Sequence, residues 1–408
     1  MKLFEKGPGF ASGLKDFWKY LNASTIGAGL ISTIFGCSGP CLIVIAGAKT
    51  AGFTLADTVT WVFGIYIFGG LLGAILATYY KIPVSGAYSI PGATLMGAAL
   101  KGYTFNEAAG AFVLAGVIVL IIGLTGVIGK IMKVLPVQIV MAMVAGCMMK
   151  FGIGIVTNTS KNILVCGLAL TAFFLVPKVI KKMPGVLAAL IVGVGACWFT
   201  GSLKFTAEAL TFIPPRIITP VFNASLVLSC ALPLAILVIG AENAQAMGVL
   251  QAQNYPVPAN AMTVSSGIGG IISGLFGAHN ANIAGPMTAI CASEVAGPKE
   301  GRYVASVVNG LTFAAFGLFA SFAIGFVNLI PGALIGLLAG LAMINVLVGA
   351  MKVAFETGTF KLGAFAAFVV GMSGLAILHV GSAFWALVIG FIVSIICEPA
   401  DFRSSQKE

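Results

Sequence analysis

Residues 88–93 read Tyr-Ser-Ile-Pro-Gly-Ala, and residues 280–286 read Asn-Ala-Asn-Ile-Ala-Gly-Pro. Each stretch places a proline beside a glycine at the start of a short apolar segment. Proline is tolerated in the first turn of a helix, where its missing N–H has no intrahelical partner, and glycine lets other groups approach the backbone closely. The two stretches therefore predict two short helices that each begin inside the apolar part of the chain.

A fixed offset relates the two stretches. Pro91 and Pro286 lie 195 residues apart (286 − 91), and so do Pro136 and Pro331 (331 − 136), which open two longer apolar segments. The same offset at two independent places, in a chain of 408 residues, indicates that the chain contains a duplicated unit.

The amino-acid composition indicates whether the chain lies in water or in a membrane. Hydrophobic residues make up 59% of the chain and charged residues only 8%, whereas soluble proteins carry roughly a quarter charged residues. A bilayer needs an apolar exterior with charges only at its two rims. At about 20 residues for each spanning helix, the length allows about twelve to fourteen spans. These properties exclude a soluble protein and predict a polytopic membrane protein.

Apolar stretches between charges, prolines and polar clusters divide the chain into fourteen candidate spans. They are residues 24–48, 58–80, 84–100, 108–129, 134–156, 162–180, 185–203, 221–250, 261–278, 282–296, 303–327, 330–351, 362–380 and 382–397. Seven spans in each unit is an odd number, so the second copy must be inverted relative to the first. We therefore predict an all-α membrane protein with two inverted seven-span repeats, in which spans 3 and 10 are half-helices.

The predicted organisation has five parts. They are an interfacial N-terminal segment (1–23) with an amphipathic helix at 10–20, a first repeat (24–203), a linker (204–220), a second repeat (221–397) and a C-terminal tail (398–408). This topology places 16 of the 22 lysines and arginines on the side of the two termini and 6 on the other side. The positive-inside rule then predicts that both termini are cytoplasmic.

Several classes of function are excluded by the sequence. The net charge of +10 is spread over many loops and forms no basic patch, so we expect no nucleic-acid partner. Cys37 and Cys41 are separated by three residues, but only two histidines are present, so no metal site and no cofactor are predicted. The chain has no nucleophile elbow, Walker loop or HExxH motif, so we predict no enzyme and no ATP-driven pump.

The two half-helices predict a ligand site at the middle of the membrane. A helix that begins inside the bilayer presents unpaired backbone N–H groups and the positive end of its dipole, which suit an anionic or strongly polar ligand. Short, broken segments at corresponding positions of inverted repeats are typical of transporter binding sites. Tyr88 and Ser89 begin the first such segment and Asn282 begins the second. The alternative is that both segments are ordinary kinked spans.

Two ionisable residues stand near these segments. Glu242 is the only acidic residue deep inside an apolar run, beside Asn243 and Gln245. A charge at membrane depth normally faces a polar cavity, pairs with another group or is neutralised, so we predict that Glu242 carries a coupled proton. The alternative is that it reaches the headgroups from the end of a long helix. His279 is either a second proton carrier or a partner for unwound backbone carbonyl groups.

Several stretches of the chain resemble a known family. Residues 276–282, Phe-Gly-Ala-His-Asn-Ala-Asn, together with residues 288–291, Thr-Ala-Ile-Cys, are similar to the benzoate/proton symporter (BenE) family of bacterial inner-membrane carriers. The resemblance also covers the Pro-Leu pair at 233–234 and the Ile-Pro pair at 82–83, and it runs over most of the chain. It implies the wider uracil/xanthine-permease type of fold, which has two inverted seven-span repeats.

The resemblance implies that the spans form two domains with different roles. A core domain of spans 1–4 and 8–11 would hold the substrate between half-helices 3 and 10, and a gate domain of spans 5–7 and 12–14 would often form a homodimer. Carried over by position, the residues expected to line the substrate site are Ser89, Ile90, Gly92, Asn282, Ile283, Ala284, Glu242 and Asn243.

One stretch departs from the family pattern. Members usually have a neutral Ser-Gln-Asn where this chain has Ala241-Glu242-Asn243, whereas nucleobase carriers of the same fold place a glutamate in this span. The expected function is proton-coupled uptake of a small aromatic carboxylate such as benzoate across the inner (plasma) membrane. A nucleobase/proton symporter of the same fold is the first alternative, and an anion channel is the second.

Overall fold

The computed structural model describes residues 4–37, 39–126, 136–180, 183–203, 212–375, 377 and 382–405. Parts of the predicted linker (204–211) and of both tails (1–3 and 406–408) lie outside the described residues. Within the described part, nearly all regular structure is helical. The helices are α1 (Phe10–Tyr20), α2 (Ala23–Cys37), α3 (Gly39–Ala51), α4 (Leu55–Tyr80), α5 (Ile90–Ala99), α6 (Phe105–Thr125), α7 (Val137–Lys161), α8 (Ile163–Val179), α9 (Gly185–Phe199), α10 (Ala224–Gln251), α11 (Ala259–Gly274), α12 (Gly285–Ala292), α13 (Arg302–Leu318), α14 (Ala320–Asn328), α15 (Gly332–Phe355), α16 (Lys361–Ser373), α17 (Ser382–Cys397) and α18 (Pro399–Ser405).

The helices agree with an all-α, multi-pass membrane fold. In the described residues, six helical stretches are long and apolar enough to cross a membrane: Ala23–Ala51, Leu55–Tyr80, Phe105–Thr125, Val137–Lys161, Ala224–Gln251 and Gly332–Phe355. The pair formed by α13 and α14 qualifies as a further span that is bent by 67°. Shorter apolar helices occupy the remaining predicted spans, so the count of fourteen crossings stays a prediction.

Two short strands join the broken segments, which the sequence did not predict. Strand β1 (Gly86–Tyr88) pairs with strand β2 (Ala281–Ile283) in an antiparallel ribbon whose central pair is Ala87 and Asn282. The pairing satisfies backbone N–H and C=O groups that would otherwise be unpaired in an apolar interior. The central pair is itself separated by 195 residues (282 − 87), so the local two-fold relation has the same offset as the proline pairs.

Helix starts follow the same offset. Helices α5 and α12 begin at Ile90 and Gly285 (285 − 90 = 195), and helices α7 and α15 begin at Val137 and Gly332 (332 − 137 = 195). Both predicted half-helices are therefore present, each with a proline in its first turn. The offset of 195 residues also makes α11 the counterpart of α4, and α13 the counterpart of α6. The helix packing has the same symmetry, because α4 packs on α13 while α11 packs on α6.

Glycines let these helices hold the ribbon at close range. A Cβ atom on Gly69 or Gly73 of α4 would lie 2.4 Å or 2.2 Å from the backbone of β1. On the other side, a Cβ atom on Gly269 of α11 would lie 2.5 Å from the carbonyl oxygen of Ala281 in β2. Such distances are shorter than any tolerated contact, so side chains at these positions would push the ribbon away from the helices.

The N-terminal segment is fastened to one end of the helix bundle. The predicted helix at 10–20 is present as α1. The hydroxyl of Tyr303 in α13 donates a 2.7 Å hydrogen bond to the carbonyl oxygen of Gly13 in α1. Lys81 forms an ion pair with Asp16, and the nearby ammonium holds the pKa of this carboxyl below its usual value. Before α1, the carboxylate of Glu5 accepts the backbone N–H groups of Asn260 and Ala261 at 2.9 and 3.0 Å.

Glu5 therefore acts as a carboxylate cap on the start of α11, supplied from a distant part of the chain. We expect Glu5→Ala to lower the free energy of unfolding by about 1–2 kcal/mol, because two helix N–H groups lose a charged acceptor. The measurement is denaturant-induced unfolding in detergent. Glu294→Ala removes an exposed carboxylate that has no described side-chain partner and serves as the control. Equal losses in the two variants would contradict the capping role.

Candidate functional site

The two half-helices begin at a small buried cavity. Its volume is about 10 Å³, measured as space for the centre of a water-sized molecule, so it has room for about one water molecule in this conformation, and seven elements surround it. The lining residues are Phe35, Gly36, Pro40, Ala87, Tyr88, Ile90, Glu242, Ala284, Pro286, Met287 and Phe313. Of the predicted site residues, Tyr88, Ile90, Glu242 and Ala284 are among them. Most of the wall is apolar, and Glu242 is the single ionisable carboxyl group in it.

The carboxylate of Glu242 lies at the N-terminus of α5, where a bound anion would otherwise interact with the helix. It lies in a π-helical turn of α10, Val238–Asn243, and is only 3% exposed. Its Oε1 atom accepts the backbone N–H of Ile90 at 3.2 Å. Ile90 is the first residue of α5, so this N–H has no acceptor within its own helix. The contact excludes the alternative in which Glu242 reaches the headgroups, because the carboxylate points into the protein.

Ser89 and Gly92 shape the start of α5 and do not line the cavity. The Ser89 hydroxyl caps the helix by accepting the N–H of Gly92 at 3.0 Å. A Cβ atom on Gly92 would lie 2.7 Å from a methyl group of Leu234, on the side of the helix that faces α10. Both residues therefore fix the orientation of the half-helix whose first N–H group, that of Ile90, points to Glu242 at the cavity wall.

His279 is held between two partners. The indole N–H of Trp61 donates to His279 Nδ1 at 2.7 Å, and His279 Nε2 lies 3.0 Å from the carbonyl oxygen of Ser89. Indole is only a donor, so Nδ1 must be unprotonated and Nε2 must carry the hydrogen that binds Ser89. His279 is therefore a neutral imidazole with both ring nitrogens used. These contacts favour its role as a partner for unwound backbone over its role as a proton carrier.

We expect His279→Ala to reduce the amount of folded protein without changing proton coupling. The substitution leaves the Trp61 N–H and the Ser89 carbonyl oxygen buried and unpaired, at a cost of about 1–3 kcal/mol each. The measurements are the unfolding temperature in detergent and the pH-driven accumulation ratio per folded molecule in liposomes. A normal unfolding temperature combined with a lost accumulation ratio would restore the proton-carrier role.

Asn243 and Asn282 supply buried amides beside the cavity. The Oδ1 atom of Asn243 accepts the hydroxyl of Ser266 at 3.1 Å, and the same hydroxyl oxygen accepts the N–H of Ile283 at 3.2 Å. Within the described residues, the amide nitrogen of Asn243 and both side-chain polar atoms of Asn282 have no hydrogen-bond partner. Buried amides without partners are costly, so they mark places where a ligand or water completes the site.

The remaining predicted residues support the ribbon. Ile283 points into an apolar cluster away from the cavity, while the N–H of Ala284 donates to the Ser85 carbonyl oxygen at 2.9 Å. Tyr88 lines the cavity with its ring, and its hydroxyl lies 3.1 Å from the Tyr66 hydroxyl, which donates to the Gly36 carbonyl oxygen at 2.7 Å.

Sequence reasoning missed the apolar walls of the cavity. Phe35 comes from α2, Pro40 from α3, Met287 from α12 and Phe313 from α13. In the sequence, these residues stand among many other apolar residues of membrane spans. Nothing in their local pattern separates a cavity wall from ordinary helix packing.

Two known proteins are similar to nearly the whole chain. The chain is 31% identical over 373 residues to the inner membrane protein YdcO of Escherichia coli, covering 91% of this chain and 95% of that protein. It is 27% identical over 384 residues to the benzoate membrane transport protein of Acinetobacter baylyi, covering 94% and 96%.

Solved structures share the fold. The transmembrane domain of a cyanobacterial bicarbonate transporter, BicA, matches with a TM-score of 0.60 at 15% identity, covering 94% of this chain and 97% of that chain. The murine anion transporter Slc26a9 in its inward-facing state matches with a TM-score of 0.62 at 14% identity, covering 94% and 70%. The family model described as benzoate membrane transport protein matches residues 19–396, so the chain belongs to the BenE family of membrane transport proteins.

Proposed function

We propose that the protein is a secondary active transporter that carries a small aromatic carboxylate, such as benzoate, together with a proton. The observation that carries the proposal is the hydrogen bond from the Ile90 N–H to the Glu242 carboxylate at the wall of the buried cavity. The name of the Acinetobacter relative, a benzoate membrane transport protein, supports the substrate class. The apolar character of the cavity walls suits the ring of such a substrate.

The position of Glu242 suggests how the proton and the substrate are coupled. In the empty site, the ionised carboxylate neutralises the positive end of α5, which is the group that a substrate carboxylate would seek. A proton on Glu242 removes this competing charge and leaves the Ile90 N–H to the substrate. Proton binding therefore favours substrate binding, and the two leave together.

Charge balance gives the reason for tight coupling. The empty site with ionised Glu242 and the loaded site with protonated Glu242 plus one carboxylate carry the same net charge. A site that holds both anions would bring two negative charges to about 4 Å, which costs about 4 kcal/mol in a medium of effective dielectric constant near 20. That penalty disfavours the unprotonated, loaded site by roughly a thousandfold.

Movement between two groups of helices would alternate access to the site. Helices α7, α8, α9, α15, α16 and α17 pack against one another, and helices α2 to α6 and α10 to α13 surround the ribbon and the cavity. We propose that these groups are the gate and the core domain, that the core rocks against the gate, and that the gate forms the interface of a homodimer. Cytoplasmic placement of both termini belongs to the same proposal.

The test is uptake of labelled benzoate and uracil into liposomes that contain the purified protein. An imposed inward proton gradient should drive saturable benzoate accumulation, and an ionophore that collapses the gradient should stop it. Liposomes without protein measure the passive entry of benzoic acid and are subtracted. Flux that does not saturate would indicate an anion channel, and benzoate uptake equal to that of empty liposomes would overturn the proposal.

A nucleobase is the second candidate substrate because of Glu242 itself. A buried carboxylate can accept N–H groups from a neutral heterocycle, and the unpartnered amides of Asn243 and Asn282 offer further donors and acceptors. In the same uptake experiment, a nucleobase carrier would accumulate uracil, and unlabelled benzoate would fail to compete with it.

A further inference from the structure

A second cleft lies along α5, away from the cavity that holds Glu242. Its empty volume is about 650 Å³, and it is bounded by α5, α7, α10 and the α16–α17 region. Leu95 and Met372 give it apolar walls, and Cys147 and Lys150 of α7 line one side. The cleft therefore lies between the helices proposed as the core domain and those proposed as the gate domain.

Among the described residues that line this cleft, Lys150 is the single charged one. Among the described residues, no carboxylate lies within ion-pair distance of it, and its Nζ atom lies 5.5 Å from the centre of the Phe151 ring. The Lys150 side chain is exposed and stands beside the apolar walls of the cleft, where water or an anion can compensate its charge. The cleft thus offers one positive charge beside apolar surface, which is the complement of an aromatic carboxylate.

The cleft and the buried cavity share a half-helix. Thr94 of the cleft is four residues after Ile90 of the cavity, which corresponds to about 6 Å along the helix axis. The C-terminal half of α5 faces the cleft, and the negative end of its dipole would repel an anion there. The positive charge of Lys150 opposes that repulsion.

We propose that the cleft at Lys150 is a second, separate binding site for a small carboxylate. The ammonium group of Lys150 binds the carboxylate, and Leu95 and Met372 contact the apolar part of the ligand. The identity of the ligand rests on the proposed function, whereas the presence of an anion site rests on the cleft alone.

Cys147 supplies a native reporter of occupancy, because its thiol lines the same cleft. The experiment measures labelling of purified protein in detergent by a maleimide, with and without benzoate, and uses Cys147→Ser to subtract labelling at the other cysteines. Each variant is compared with its own rate in the absence of benzoate, since removal of a nearby positive charge alters thiol reactivity. We expect benzoate to slow Cys147 labelling about fivefold or more.

Three variants separate the explanations. Lys150→Gln should abolish protection by benzoate, whereas Lys161→Gln, at the end of the same helix, should keep it. Ala284→Phe, which fills the cavity at Glu242, should also keep it. Protection that persists in Lys150→Gln, together with a lower unfolding temperature, would mean that Lys150 only compensates the end of α5. Protection that is lost in Ala284→Phe would place all binding in the first cavity.

The same measurements distinguish this site from the transport proposal. Intact protection by benzoate without benzoate uptake would overturn the proposed function and leave the cleft as an anion site. Saturable, proton-driven benzoate uptake without protection of Cys147 would overturn the cleft site and leave the proposed function.

Discussion

Replacing Glu242 with glutamine is expected to end uphill uptake while sparing the exchange of internal for external substrate. Glutamine keeps an oxygen that can accept the Ile90 N–H, so the start of α5 should retain its position. It cannot release a proton, so the loaded and empty sites no longer differ by one proton. Under an inward gradient of one pH unit, the accumulation ratio measured before the passive entry of benzoic acid equilibrates should fall from at most about ten, for one coupled proton, to about one.

The matched control is Glu356→Gln, which removes an exposed carboxylate at the C-terminal end of α15 whose one ion-pair partner among the described residues is Lys352. It should leave the accumulation ratio unchanged, because exposed ion pairs of this kind contribute little. Counterflow of labelled benzoate against a preloaded internal pool measures exchange in both variants. Unchanged uphill uptake by Glu242→Gln would remove Glu242 from proton coupling, and loss of exchange as well would indicate a binding role.

The features that could be predicted from the sequence are those with a local signal. Proline and glycine at 91–92 and 285–286 mark helix starts because few other residues suit a first turn or a close backbone approach. Glu242 stands out because a carboxylate is rare at membrane depth. The structure places the starts of both half-helices and Glu242 at one cavity. The offset of 195 residues also predicts the register of the ribbon, although the strands themselves were not foreseen.

The features that could not be predicted depend on contacts between distant parts of the chain. Gly92 stands next to a proline at a helix start, as a glycine that lets a ligand approach the backbone would. In the structure, its missing side chain instead makes room for Leu234, which is 142 positions away (234 − 92). His279 has the chemistry of a proton carrier, and only its contacts with Trp61 and Ser89 reveal a neutral ring with both nitrogens used. Apolar packing gives no such positional signal in a chain where most residues are apolar.

Filling the cavity is expected to give the largest loss of binding. Ala284 lines the cavity at the start of α12, in extended backbone with φ −112° and ψ 121° that accepts any L side chain. In Ala284→Phe, the ring would occupy the space of the substrate ring, while the backbone hydrogen bond to Ser85 stays in place. We expect the benzoate affinity of this cavity to fall at least about 100-fold, while the cleft at Lys150 keeps its own binding. The measurement is equilibrium binding of labelled benzoate to purified protein.

Gly92→Ala is the matched control, since it adds one methyl group to the other half-helix on the side away from the cavity. That methyl group would meet the end of the Leu234 side chain at 2.7 Å, so it should lower the unfolding temperature slightly and keep most of the affinity. Ala284→Phe, by contrast, should lose binding at the cavity far beyond what any fall in its unfolding temperature explains. If both variants lost affinity in proportion to their stability, the cavity would be a packing defect between half-helices. If Ala284→Phe bound benzoate normally, the substrate site would have to lie elsewhere, and the cleft at Lys150 would become the first place to examine.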